Sequence, residues 1–177
     1  MDYNWLGKWI GTDMTVEDRF APIFRKNFII KDNVSEARIK ICGLGLFELR
    51  INGSLPDDTL LNPAHTQYSK TVLYRDFDVT ELAFNGENEI TVELGNSFFN
   101  ETTGVWDWDK ASWRSAPKLI ADLVIAYDDG TIETIVTDET WLVTHDGPIT
   151  KNSIYYGETF DARKAETMSF AHNAIKS

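Results

Sequence analysis

The sequence predicts an all-β fold, an antiparallel jelly-roll β-sandwich, and three observations lead to this prediction. Short segments of alternating apolar and polar residues follow one another, separated by Gly, Pro, Asn or Asp. Only the tail at 162–175 is compatible with a longer helix, and it is equally compatible with a linker. The number of segments requires two packed sheets. The predicted strands span 23–31, 37–43, 47–52, 71–79, 89–95, 118–127, 131–137, 141–145 and 154–160.

Turn residues support the divisions between these strands. Asn52-Gly53 and Asp129-Gly130 favour the left-handed backbone of tight hairpins. The clearest hairpin spans 120–137, because the apolar residues of its first strand alternate with Asp122. Asp122 is therefore predicted to lie on the opposite face from its apolar neighbours.

Length and composition predict one domain with a full hydrophobic core. The chain has 177 residues, of which 42% are hydrophobic. Area scaling indicates that roughly 70% of the unfolded surface can be buried in a chain of this size. The simplest partition is an N-terminal extension at 1–19 that packs on the sandwich, the β-sandwich at 20–161, and the start of a linker to a downstream domain at 162–177.

Charge and cysteine content exclude several classes of partner. The chain has 17 basic and 28 acidic residues, a formal net charge of −11, so nucleic acid and anionic lipid would be repelled. Cys42 is the single cysteine and cannot form an intramolecular disulfide. No run approaches the ~20 apolar residues of a membrane span. With Met1 as the native start, the absence of an apolar leader predicts a cytoplasmic protein.

One segment interrupts the strand pattern with an unusual density of aromatic residues. The stretch 96–117 interleaves rings with carboxylates and amides. Indole faces stack on pyranose rings while neighbouring polar groups bind the hydroxyls, which suits a neutral sugar. The alternative is that these rings pack beneath the loop or against another domain. The candidate sugar-binding residues are Trp106, Trp108, Trp113, Phe98 and Asn96.

A second candidate site is acidic. Asp57, Asp58 and Asn62 lie in one short loop and offer the hard oxygen ligands that calcium prefers. A solvated charged turn is the alternative interpretation. The three histidines are too far apart in sequence for a typical metal site, and a catalytic carboxylate pair at Asp107 and Asp109 is the weakest hypothesis.

Several stretches of the chain, taken in order, are more specific than any one motif. Ala-Pro-Ile-Phe-Arg-Lys-Asn-Phe stands at 21–28, Gly-Leu-Gly-Leu-Phe-Glu-Leu-Arg-Ile-Asn-Gly at 43–53, and Leu-Asn-Pro-Ala-His-Thr-Gln-Tyr-Ser-Lys at 61–70. Over about residues 5–163 the series resembles the β-sandwich domain in the N-terminal part of bacterial α-L-rhamnosidases. Further landmarks lie at 78–82, 86–90, 94–96, 127–130, 137–141 and 156–163.

The resemblance implies a galactose-binding-like jelly roll from a multidomain glycoside hydrolase that removes terminal α-L-rhamnose from glycosides. In that family the catalytic residues lie in a separate (α/α)6 barrel, which nothing in this chain resembles. The resemblance therefore implies a non-catalytic accessory domain whose partner is the downstream catalytic domain. Some members bind L-rhamnose through calcium, with an Asp-Asn pair and aromatic contacts, whereas others use the domain as a purely structural module.

The sequence departs from the family pattern at the expected binding end. Ser97-Phe98-Phe99 stands where the family commonly has Gly-Trp-Tyr. The Asp-Asn pair of this chain is Asp32-Asn33, in an early turn, which leaves Asp57-Asp58 as the available replacement. Two hypotheses stay open: an accessory domain that binds L-rhamnose, and a structural module that packs on the barrel without a ligand.

Overall fold

The computed structural model describes residues 3–102, 107 and 110–177, and it consists almost entirely of antiparallel strands. Within the described residues, one short helix, α1 (Ala162–Thr167), and two short 3-10 turns, Thr80–Leu82 and Ser97–Asn100, accompany the strands. The strands are β1 (Ile10–Gly11), β2 (Ile23–Ile30), β3 (Val34–Leu44), β4 (Leu46–Ile51), β5 (Arg75–Asp78), β6 (Gly86–Gly95), β7 (Lys118–Tyr127), β8 (Ile132–Val136), β9 (Leu142–Thr144), β10 (Ile149–Ser153), β11 (Gly157–Phe160), β12 (His172–Asn173) and β13 (Ile175–Lys176).

Two sheets enclose the core, and a separate hairpin lies outside them. The first sheet has the order β13-β1-β7-β3-β5, with β8 also paired to β7. The second sheet has the order β12-β9-β2-β6-β4. Strands β10 and β11 pair only with each other within the described residues. The predicted sandwich is confirmed, and the described residues contain no helix long and apolar enough to cross a membrane.

Alternation along the strands supplies the core. Ile39 and Ile41 of β3 and Ile90 and Leu94 of β6 are completely buried in one cluster shared by both sheets. Such burial contributes roughly 1.5–3 kcal/mol per large aliphatic side chain. Trp141 is also completely buried, and its indole Nε1 donates to the Val136 carbonyl at 2.8 Å, so that its polar atom is satisfied.

The predicted turns are present. Asn52 and Gly53 have φ values of 51° and 79°, and Gly130 has a φ of 82°. These are left-handed conformations that glycine and asparagine adopt at low cost. Strands β7 and β8 form the predicted hairpin, with Leu123 opposite Ile135.

The structure differs from the sequence-based assignment in three places. The segment predicted as one strand at 154–160 is the turn and second strand of the β10–β11 hairpin, where Gly157 has a φ of 73° and lets the chain reverse. The predicted strand at 71–79 shortens to β5. The segments assigned to an extension and a linker contribute β1, β12 and β13 to the sheets. Each of these strands has two residues, too few for a visible periodicity.

Asp122 anchors the N-terminal segment. It lies on the outer face of β7, as predicted, yet it is completely buried because residues 3–7 cover it. Its carboxylate accepts hydrogen bonds from the Leu6 and Gly7 amides, both at 2.8 Å, and from the Tyr3 hydroxyl at 3.1 Å. Gly7 is required here, because a Cβ at that position would lie 2.8 Å from the same carboxylate.

We expect Asp122→Ala to lower the free energy of unfolding by about 2 kcal/mol, because it leaves three donors without their acceptor. Urea unfolding measures the loss, and hydrogen exchange at Leu6 and Gly7 should accelerate. The matched control is Asp128→Ala, which removes an exposed carboxylate just beyond the same strand. Equal effects of the two substitutions would contradict this role of Asp122.

Candidate functional site

A network of buried polar side chains holds the segments at one end of the sandwich. Asn152 of β10 accepts a hydrogen bond from the Asn96 amide at 2.6 Å, and its own Nδ2 donates to the Arg19 carbonyl at 2.9 Å. Asn100 Nδ2 donates to Asn96 Oδ1 at 2.8 Å, and the Arg19 guanidinium donates to the Asn100 carbonyl at 2.8 Å. We call these four residues, Arg19, Asn96, Asn100 and Asn152, the asparagine network.

Glu101 extends this connection to the tip of the β10–β11 hairpin. Its carboxylate accepts hydrogen bonds from the Ser153 hydroxyl at 2.8 Å and the Ile154 amide at 3.2 Å. Ser153 in turn accepts from the amides of Tyr155 and Tyr156. The hairpin is therefore fixed to the segment that follows β6.

Six aromatic side chains from four separate segments cluster beside this network, outside the main core. The Phe98 ring lies 4.5 Å from that of His65 and 6.1 Å from that of Tyr155. The Tyr68 ring lies 5.2 Å from Phe99 and 6.2 Å from Trp113. Phe99 is buried, whereas the other five rings keep part of their surface exposed. We call His65, Tyr68, Phe98, Phe99, Trp113 and Tyr155 the aromatic cluster.

The predicted sugar-binding residues do not all lie in one place. Phe98 and Trp113 belong to the aromatic cluster. Asn96 is buried in the asparagine network, where its side chain donates a hydrogen bond to Asn152. Trp106 and Trp108 lie outside the described residues, so sugar binding by these two tryptophans stays a prediction. Sequence reasoning missed His65, Tyr68 and Tyr155, because nothing in their spacing indicates that they meet.

Two of the three predicted calcium ligands, Asp57 and Asn62, bind the same arginine. The Arg75 guanidinium donates to Asn62 Oδ1 at 2.7 Å and to Asp57 Oδ2 at 3.0 Å. Burial raises the pKa of Asp57, but hydrogen bonds from Thr59 and the charge of Arg75 outweigh it, and the net pKa is lowered. The guanidinium takes the place between the two oxygens that a cation would need, so this arrangement does not fit calcium.

The described part of the chain also holds no group of three or more His, Cys, Asp or Glu side chains arranged for a metal ion. Asp58 is exposed in the same loop. Cys42 is buried, and burial raises the pKa of its thiol to about 12, so it has the environment of a small core residue.

A cleft with a volume of about 610 Å³ lies between the edge strand β4, the loop at 55–62 and the β10–β11 hairpin. We call it the hairpin cleft. Apolar residues supply much of its wall, among them Leu46, Leu55, Leu60, Leu61 and Ile154. Three glutamates also line it: Glu48 of β4, Glu93 of β6 and Glu158 of β11. Sequence analysis missed this cleft, although Glu48 and Glu93 stand at outward positions of alternating strands.

The environment of Glu93 is unfavourable for its charge. Burial, with a smaller contribution from the negative charges of Glu48 and Glu158, raises the pKa of Glu93 to about 7, while Arg50 opposes the shift. One carboxyl oxygen, Oε1, is shielded from solvent and has no hydrogen-bond partner among the described residues. A carboxyl group with a raised pKa and an unpaired oxygen that lines a cleft is a candidate for ligand recognition.

The fold is that of a β-sandwich domain, and comparison with known proteins identifies its family. A family model described as the alpha-L-rhamnosidase N-terminal domain matches residues 32–175. The chain belongs to this family, which confirms the resemblance found in the sequence.

Relatives place this domain within larger proteins. An alpha-L-rhamnosidase of Formosa agariphila is 33% identical over 170 residues, which cover 90% of this chain and 18% of the relative. The structure of alpha-L-rhamnosidase from Dictyoglumus thermophilum matches at 36% identity with a TM-score of 0.86, over 98% of this chain and 21% of that one. The structure of Streptomyces avermitilis alpha-L-rhamnosidase complexed with L-rhamnose matches at 29% identity with a TM-score of 0.80. The match covers 90% of this chain and 16% of that one. The chain spans about a fifth of the length of these relatives.

The raised pKa of Glu93 predicts a pH dependence of stability. Between its ordinary value of 4.5 and its folded value of about 7, the folded protein holds a proton that the unfolded chain has released. The free energy of unfolding must therefore decrease as the pH rises through this window. We expect Glu93→Gln to gain stability relative to the wild type over the same interval.

Urea unfolding at a series of pH values measures this difference. The matched control is Glu87→Gln, which removes an exposed charge from the same face of β6. A Glu93→Gln variant whose stability follows that of the wild type at every pH would show that Glu93 ionises normally.

Proposed function

We propose that the chain is the N-terminal accessory domain of a longer α-L-rhamnosidase that hydrolyses terminal α-L-rhamnose from glycosides, and that it binds a terminal sugar at the aromatic cluster. The length of the relatives supports the first part, because the chain covers only 18% of the Formosa agariphila enzyme. In this proposal the catalytic residues belong to the rest of the longer protein.

The observation that carries the sugar site is the aromatic cluster itself. The core is closed without these rings, so they are not needed to fill the space between the sheets. Tyr155 is 40% exposed, and Phe98 and Trp113 of the same cluster are partly exposed. Partly exposed rings on a rigid frame lose little freedom when a pyranose stacks on them.

A carboxylate next to Tyr155 supplies the kind of partner that sugar hydroxyls need. Glu101 accepts hydrogen bonds from the Ser153 hydroxyl and the Ile154 amide, immediately before Tyr155 in the chain. Because Arg75 satisfies the oxygens that calcium would use, the proposal assigns recognition to the rings and to hydrogen bonds rather than to a metal.

Titration of the domain with L-rhamnose, followed by NMR, tests the proposal. We expect weak saturable binding with shifts at Phe98, Trp113 and Tyr155, and the same affinity in calcium and in a chelator. Tyr155→Ala and Trp113→Ala should each weaken binding by about tenfold, which corresponds to about 1.4 kcal/mol.

The matched control for these variants is Phe84→Ala, which removes a ring that is 54% exposed at the opposite end of β6. It should bind L-rhamnose like the wild type. Absence of binding in both buffers would overturn the sugar site, and binding that the chelator abolishes would restore Asp57, Asp58 and Asn62 as calcium ligands.

A second candidate function is docking onto the rest of the longer protein. Large apolar side chains are exposed near the hairpin cleft, with Leu60 at 77%, Tyr156 at 74% and Phe160 at 61%. Such a concentration is typical of a surface that another protein covers. This function and sugar binding use different surfaces, so both can hold.

A further inference from the structure

We propose that the hairpin cleft binds the arginine side chain of a partner polypeptide. This inference deepens the second candidate function and rests on it for the nature of the partner. It does not depend on sugar binding, since none of the rings of the aromatic cluster lines the cleft.

The arrangement of carboxylates favours a planar cation with several donors. Glu48 and Glu93 are direct partners in the antiparallel register of β4 and β6, so their side chains emerge side by side. Glu158 lines the same cleft from β11. A guanidinium presents five N–H donors in a fixed fork and can bind more than one carboxylate at once, which an ammonium group does less well.

Four carboxylates line the cleft, those of Glu48, Asp57, Glu93 and Glu158, and two arginines lie near them. Both arginines are already engaged: Arg50 with Glu48 Oε1 at 2.7 Å and the Gly53 carbonyl at 3.1 Å, and Arg75 with Asp57 Oδ2 at 3.0 Å. Within the described residues, neither Glu93 nor Glu158 forms an ion pair, and Glu93 Oε1 has no hydrogen-bond partner. A guanidinium entering the cleft would relieve the repulsion among these groups.

The walls and the rim identify the source of the guanidinium as a polypeptide. Leu46, Leu55 and Ile154 line the cleft and suit the three methylene groups of an arginine side chain. At the rim of the cleft, Leu60 is exposed in the loop. Phe160 stands two residues after Glu158 on the same face of β11 and is also exposed. An arginine anchor surrounded by exposed apolar residues is typical of the centre of a protein interface.

Calorimetry with the peptide acetyl-Leu-Arg-Leu-amide at about pH 8, where Glu93 is ionised, tests the inference. We expect saturable binding that weakens at least tenfold when citrulline replaces the arginine, because citrulline keeps the shape and removes the charge. Glu93→Gln should weaken binding of the arginine peptide by about tenfold. The matched control Glu87→Gln should leave it within about twofold.

A pH series separates a specific contact from general attraction to an acidic protein. Lowering the pH from about 8 to about 6 protonates Glu93 and should weaken peptide binding to the wild type, with a much smaller effect on Glu93→Gln. The charged groups facing Glu93 are Glu48 and Arg50 of β4 and Glu158 of β11.

Three results would overturn the inference: no binding of the arginine peptide, equal binding of the citrulline peptide, or equal effects of Glu93→Gln and Glu87→Gln. Displacement of the peptide by L-rhamnose would also overturn it, because the cleft would then be the sugar site. Failure of L-rhamnose to bind anywhere would instead overturn the sugar proposal and leave the cleft inference intact.

Discussion

The asparagine network is the interaction on which the functional end of this domain depends. Asn152 joins the backbone after β6 to the backbone before β2, and its neighbours Asn96 and Arg19 satisfy one another. Each hydrogen bond lost from this network would leave a desolvated polar atom, and within the described residues Asn100 Oδ1 already has no partner. Removal of Asn152 would therefore be costly, because it binds both Asn96 and the Arg19 carbonyl. The network fixes the hairpin that forms one wall of the cleft and the turn that carries Phe98.

Two surfaces with opposite chemistry result from this arrangement. The aromatic cluster offers ring faces beside polar groups that are already paired, as a neutral ligand requires. The hairpin cleft offers carboxylates that lack a counter-charge, as a cation requires. Both lie beside the same network, so a change in Asn152 should disturb both, whereas substitutions such as Tyr155→Ala and Glu93→Gln separate them.

The energetics of Glu93 connect folding with recognition. The protein keeps a carboxyl group whose burial raises its pKa to about 7, and this lowers the stability of the domain at neutral pH. A leucine or a glutamine at this position would remove the cost of ionising a buried carboxyl group. Residues that reduce stability in this way are frequent at binding surfaces, because the ligand later supplies the missing interaction.

The sequence by itself determined the sandwich, since alternation and turn residues at Asn52-Gly53 and Asp129-Gly130 are local signals. It also determined the family, because the ordered landmarks are long. Tertiary structure decided which residues meet at each site. Residues of the aromatic cluster come from four segments, and Arg75 reaches Asp57 and Asn62 across 18 and 13 positions. Contacts of this kind follow from sheet register and loop path, which no local pattern specifies.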